Sequence, residues 1–374
     1  MPLHGDNRHA YLALALVPGI GPGRLRTLME GCGSPSGVLE APFAFLRSLP
    51  GIDLSLATAV QSARRSAAQH VLDDLNRLGG VLLLPGDEQF PAGLSPVDPP
   101  PMALFAAGNL ELLTRPAAAI VGSRDHTRYG AEVCDALAAG VAAAGVVVVS
   151  GMARGLDAEA HRAALTAGGG TIGVLGNGLG VIYPAANRRL YEAVRKEGLL
   201  ITELPPGERP HAGAFPRRNR LIAGLSRVTV VIEAAVGSGA LITANEALEL
   251  GRDVMAVPGP VTSPTSVGAN QLLRDGAIAI LEVDDLLARY PEIRRVPGDP
   301  VLPAADPASP QGKVLALLKG GPRQADELAA TLRLPTGQVL AVLGAMEIQG
   351  MVSQRPGMVY GLVKARFAAE GRSE

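Results

Sequence analysis

Hydrophobic and polar positions follow three successive rhythms along the 374 residues. The first is helical. Ala10–Val17 is apolar, Pro18-Gly19-Ile20-Gly21-Pro22-Gly23 turns sharply, and Leu25–Glu30 resumes a helix. A weaker copy follows, with Leu49-Pro50-Gly51-Ile52-Asp53 before a helix predicted over Leu56–Ala68. Residues 70–116 are a lead-in: a helix over Val71–Leu78, short strands at Val81–Leu84 and Met102–Phe105, and a proline-rich stretch between them. From Ala117 the rhythm becomes strand, turn, helix, repeated. Strands are predicted at 117–121, 146–149, 171–175, 199–203, 228–232, 253–257 and 277–281. Short apolar strands alternating with helices argue a parallel, doubly wound α/β sheet covered on both faces. The third rhythm follows a segment rich in Pro, Ala and Asp. Helices are predicted at 312–319, 324–332 and 336–349, then a hairpin at 350–362.

Composition narrows the chemistry. Hydrophobic content of 47% supports well-buried cores, and a net charge of −1 removes any global basic signature. A nucleic-acid site must therefore be a local patch. Cys32 and Cys134 lie far apart without metal-type spacing, and the six histidines form no catalytic or ligand set. A disulfide framework, a metal site and a cofactor are not expected. No apolar run reaches membrane-spanning length. The expectation is a soluble, cytoplasmic protein with no membrane partner.

The candidate chemistry gathers at strand ends, where a doubly wound sheet places its ligand crevice. After the first strand of the repeat comes Gly122-Ser123-Arg124, and after the second Ser150-Gly151-Met152-Ala153-Arg154-Gly155-Leu156-Asp157. Gly176-Asn177-Gly178 follows the third, and Gly237-Ser238-Gly239, with Thr243 beyond it, follows the fifth. Glycine lets a backbone approach an anion, and helix N-terminal amides supply donors. Each loop alone is equally a plain turn or N-cap. The fourth strand leads into Phe215-Pro216-Arg217-Arg218-Asn219-Arg220-Leu221-Ile222-Ala223-Gly224-Leu225-Ser226, with a helix expected from Pro216. Between Pro205 and Arg227 stand Arg209, Arg217, Arg218, Arg220 and Arg227 against Glu208 alone. Arginine forks suit phosphate oxygens, and an aromatic face suits an unstacked base or packs on a sheet end.

Taken in order, these motifs, with Glu233–Ala244 and Val257-Pro258-Gly259, resemble the DprA/Smf family of DNA-processing proteins. The resemblance is strong over roughly residues 70–290. It implies an extended Rossmann-like sheet that binds single-stranded DNA without catalysis, protects the incoming strand and loads RecA recombinase during natural transformation. It also implies contact with single-strand-binding protein and a homodimer, with Leu272 and Leu273 near the contact. Carried over by motif, the resemblance implies that Ser123 and Arg124 contact phosphate, that Phe215 meets a base and that Arg218 and Arg220 line the pocket; Gly122, Arg154, Arg217, Asn219, Gly237, Ser238, Gly239 and Thr243 complete the expected single-stranded-DNA-binding set. Two departures stand out: Ala212-Gly213-Ala214 where a basic residue is usual, and Met152 where glycine is usual.

The flanking segments have resemblances of their own. Residues 1–69 are similar to a helix-hairpin-helix, SAM-like domain, whose hairpin amides meet phosphate or only turn the chain. Residues 291–310 read as a linker. Residues 311–366 are similar to a winged-helix domain, but the third helix carries no Arg or Lys, so duplex binding is not expected there. The alternative function is a Rossmann-fold enzyme cleaving a nucleoside monophosphate, with Glu233 or Glu246 as its carboxylate.

Overall fold

Alternation within single strands builds the two faces of the main sheet. The structure, a computed structural model, describes residues 3–63, 65–293, 309–318, 321–348, 351–355 and 357–362. Strands β1 (Val81–Leu83), β2 (Leu104–Gly108), β3 (Ala117–Val121), β4 (Val147–Ser150), β5 (Thr171–Val174), β6 (Leu199–Thr202), β7 (Val228–Val231), β8 (Asp253–Ala256) and β9 (Ile278–Ala279) form one sheet. Side chains of neighbouring strand residues point to opposite faces. Phe105, Ala107, Leu82 and Leu200 accordingly join one hydrophobic cluster, and Leu104, Ala106, Leu83, Leu199 and Ile201 join another.

The strand order is β1-β2-β6-β5-β4-β3-β7-β8-β9. From β6 to β9 every neighbouring pair is parallel, whereas β2 pairs antiparallel with β1 and β6. The chain runs outward from β3 through β4 and β5 to β6, then returns to place β7 on the other side of β3. That reversal opens a crevice beyond the carboxyl ends of β3 and β7. The sheet is therefore the extended Rossmann-like form expected from the sequence.

The N-terminal helices pack on this sheet rather than beside it. Asp6–Ala15 and Pro22–Cys32 flank the first hairpin, and Phe43–Ser48 and Leu54–Ser62 flank the second. The helix expected over 56–68 ends at Ser62, and a new one spans Arg65–Arg77. The expected boundary at 69/70 thus falls inside a helix. Tyr11, Leu12, Leu14, Leu28 and Leu56 share a cluster with Phe105 and Leu200. Arg8 locks the first helix to the sheet edge, donating to Asp87 Oδ1 at 2.7 Å and to Leu82 O at 2.6 Å. Met1–Tyr290 forms one compact unit for this reason.

The second unit begins after Tyr290. Most of the expected 291–310 linker, and residues 363–366, lie outside the described residues. Helices Pro310–Leu318, Ala325–Leu332 and Thr336–Ile348 enclose a core of Val314, Leu328, Val339, Leu343 and Met346. Val352–Arg355 and Val359–Leu362 pair antiparallel as the wing, and Arg323–Gln324 adds a short third strand. Three helices and a wing match the winged-helix expectation. No single described helix is long and apolar enough to cross a membrane.

Candidate functional site

The arginine stretch begins its helix earlier than expected, at Ala214, and runs to Leu225. It lies against the crevice and against the helix Gly239–Glu249, to which Asn219 Nδ2 ties it through Gly239 O at 3.1 Å. An open crevice of about 740 Å³ runs along its side. Gly122, Ser123, Arg124, Phe215, Arg218, Asn219, Ser238, Gly239 and Thr243 all line it. The structure therefore brings most of the candidate residues to one place. At one end lies a smaller cavity of about 60 Å³, bordered by Arg124, Arg154, Asn177, Tyr183, Phe215 and Arg218 among others.

The candidates differ in what they are free to do. Arg124 is exposed at the crevice wall. Arg154 is exposed and 3.4 Å from Asp125, a pair too open to fix it strongly. The Ser123 hydroxyl donates to Asp125 O at 2.9 Å and accepts from Asp125 N at 3.1 Å, shaping its own loop. Ser238 caps the following helix by accepting from Ala240 N. Thr243 returns its hydroxyl to Gly239 O at 3.4 Å. Gly237, exposed at φ 74°, supplies the left-handed turn but is not part of the lining.

Two of the arginines face inward. Arg218 is 6% exposed and donates through Nη1 to Val174 O at 2.5 Å. Burial lowers its pKa to about 10; Asp157 opposes that fall and Arg124 adds to it. Asp157 is itself buried and pushed up by desolvation, which Arg218 counters; its carboxylate accepts from Gly151 N at 3.1 Å. Asp157 therefore ties down the loop before its helix. Arg218 lies so close over Gly151 that a Cβ there would overlap its guanidinium. Met152, next to Gly151, adopts φ 56°, a conformation disfavoured for side-chain-bearing residues and natural for the glycine usual there.

The structure places Arg220 away from the other candidates. It is 3% exposed, forms an ion pair with Glu203 at 2.5 Å and does not line the crevice. Glu203, at the end of β6, draws it below the surface. Arg217 is exposed on the helix, with Nε 4.0 Å from the same carboxylate, and is not part of the crevice lining either. Phe215 is half-buried: its ring rests on Gly176, where a Cβ would lie 2.8 Å away. Tyr183, 47% exposed, covers it at a ring separation of 5.4 Å. Sequence reasoning missed Tyr183 and Glu203 as site residues, and named Asn177 only as part of a glycine-bearing strand-end loop. Tyr183 follows the Gly176-Asn177-Gly178 loop by a few residues, which was the available signal.

Neither carboxylate of the enzymatic alternative lines the crevice. Glu233 is 2% exposed; Oε2 accepts from Thr127 N at 2.9 Å and Oε1 from Thr127 Oγ1 at 2.6 Å. Glu246 stands beside Glu249 and Arg220, raised by burial, and does not border the crevice. Leu272 and Leu273 are partly buried against the sheet core from the helix Val267–Arg274. No group of three or more His, Cys, Asp or Glu suited to a metal occurs among the described residues.

Comparison with known proteins gives consistent relatives. Residues 81–291 match the family model for DNA recombination-mediator protein A, and residues 298–358 match that for the DprA winged helix domain. A putative DNA processing protein DprA of Mycobacterium tuberculosis is 39% identical over 86% of this chain and 87% of its own. Protein Smf of Synechocystis is 33% identical over 95% of this chain and 99% of its own. The X-ray structure of DprA from Streptococcus pneumoniae superposes with a TM-score of 0.66 at 32% identity, covering 77% of this chain and 98% of that one. DNA processing protein A from Helicobacter pylori, whose structure addresses its single-stranded DNA binding mode, superposes at 0.52 with 30% identity, over 56% of this chain and 94% of that one.

Proposed function

This chain belongs to the DprA/Smf family of DNA-processing proteins, and from that premise we propose that it holds single-stranded DNA in the crevice without acting on it chemically. The observation that carries the reading is the crevice itself. It joins the glycine-bearing ends of β3 and β7 to an exposed Arg124 and the face of the arginine helix. Backbone amides and guanidinium groups spaced along one open groove suit a row of phosphates. The Helicobacter pylori relative, with its single-stranded DNA binding mode, supports the same substrate. On this reading Arg124 and Arg154 meet phosphate directly. Arg218, Asn219, Ser238, Gly239 and Thr243 shape the wall.

The bound strand would be protected and passed to RecA recombinase, with single-strand-binding protein displaced. The helix bearing Leu272 and Leu273 would join two copies into a homodimer. A nucleotide-cleaving reading needs a carboxylate in the crevice, and the engagement of Glu233 with Thr127 argues against that residue. Fluorescence anisotropy of oligothymidylate against salt tests the proposal. A steep fall with salt and about ten-fold weaker binding by Arg124→Ala are expected. Salt-insensitive binding, or an unchanged Arg124→Ala variant, would remove the crevice from consideration.

A further inference from the structure

A buried carboxylate behind the crevice takes no part in its lining, yet it holds the turn that carries Arg124. We propose that Glu233 is a positioning residue for strand binding: it anchors the turn after β3, residues 122–127, and so sets where Arg124 stands along the groove wall. This rests on the crevice being a single-strand groove.

An exposed side chain such as Arg124 takes its place from the backbone beneath it. That backbone is fastened at two ends. Beside β3, Ser123 O accepts from Leu156 N at 3.1 Å. Gly155, at φ 75°, lies so close there that a Cβ would sit 2.4 Å from Ser123 O and 2.5 Å from Arg124 O. At the far end, Thr127 N donates to Glu233 Oε2 at 2.9 Å and Thr127 Oγ1 donates to Glu233 Oε1 at 2.6 Å. Between the anchors, Ser123 and Asp125 bond each other, which curls the turn without tying it to the sheet.

The chemistry of Glu233 suits an anchor better than a filler. Strand β7 pairs in parallel with β3, with Val231 opposite Val121. Glu233, two residues past β7, therefore reaches sideways from one strand end to the turn after its neighbour. A buried carboxylate is costly unless it is hydrogen-bonded, and packing alone would be served by an apolar side chain. Here the charge is met by the two Thr127 donors, by Thr265 Oγ1 at 3.4 Å and by the positive end of the helix Arg128–Ala143. The same Thr127 hydroxyl caps that helix, accepting from Gly130 N at 3.1 Å. The fit is close: a Cβ at Gly130 would lie 2.5 Å from Glu233 Oε2. Two acceptor oxygens facing two donors of one residue fix both its position and its rotation.

The test is a cycle of Glu233→Gln with Arg124→Ala in the full-length protein, reading oligothymidylate affinity and its salt slope by anisotropy. Glutamine keeps the volume but offers one acceptor oxygen to the two Thr127 donors. Glu233→Gln should weaken binding about five-fold, as for one lost hydrogen bond, and move the salt slope toward that of Arg124→Ala. In the Arg124→Ala background it should change nothing further, because its effect passes through Arg124. A merely structural loss would weaken both backgrounds equally. Thr127→Val removes one donor and should behave like Glu233→Gln, whereas Thr127→Ser keeps both donors and should bind as wild type does. If Glu233→Gln does not fold, Thr127→Val in the two backgrounds decides the same question. Wild-type affinity in Glu233→Gln, or an equal further loss in the Arg124→Ala background, overturns the positioning role and leaves the groove standing. Wild-type protein that binds no oligothymidylate, or an Arg124→Ala variant as tight as wild type, overturns the groove and the positioning role together.

Discussion

Replacing Arg220 by methionine separates a support from a ligand contact. The Arg220 guanidinium, 3% exposed, lies 2.5 Å from Glu203, whose carboxylate is 12% exposed. Without it, the described cation left near Glu203 is Arg217 at 4.0 Å. Removing one partner of a buried pair costs ~3–5 kcal/mol, because the other charge stays desolvated. Arg217 and the partial exposure of Glu203 place the cost at the lower end, about 3 kcal/mol. Adding Glu203→Gln removes the stranded charge, so the double variant should recover most of that loss. Urea denaturation with matched slopes measures both. The binding assay supplies the contrast. One phosphate contact on a single strand contributes about 0.7 to the slope of log affinity against log salt. Folded Arg220→Met should keep the wild-type slope, whereas Arg124→Ala should lose about 0.7 of it. A stable Arg220→Met protein with a slope reduced by about 0.7 would refute the buried assignment.

Three further changes probe the same region. Burial holds His161 down from 6.5 to about 3, with Arg218 and Arg162 adding to the fall. The unfolded chain takes up a proton below about 6.5 while the native state does not. This contribution is therefore complete above that pH and is lost as pH falls toward 3. Stability at about pH 5 should drop by roughly 2 kcal/mol, and His161→Gln should flatten that limb of the denaturation profile. Gly151→Ala should cost ~1–3 kcal/mol by pressing on the Arg218 guanidinium, visible in thermal denaturation. Ala212→Lys should restore charge at the crevice rim, tightening oligothymidylate binding and raising the salt slope by about 0.7.

The alternation of apolar strands and helices was legible because the strands from β3 to β7 are buried on both faces and the turns carry their own residue signals. The crevice followed from those strand ends. Which arginines reach it did not follow. Arg217, Arg218 and Arg220 fall within four positions of a helix that is buried from Arg218 through Gly224, so helical phase cannot sort them. Arg220 is turned inward by Glu203, seventeen positions earlier, just outside the stretch whose charges looked one-sided. Tyr183 escaped notice because nothing in its neighbourhood announces that Phe215, far along the chain, packs beneath it. The break between Ser62 and Arg65 carries neither glycine nor proline. The wing was legible from its paired short strands alone.

The first helices share a hydrophobic cluster with the underside of the sheet, and this gives the molecule no seam before Tyr290. Limited proteolysis should find no site between the hairpins and β1 that releases a folded fragment. A chain shortened to start at Val81 would present Phe105, Leu82 and Leu200 to water and self-associate. The two Gly-Ile turns are thus carried at a fixed bearing from the crevice. Any strand long enough to touch both would meet a preset ruler rather than a swinging arm.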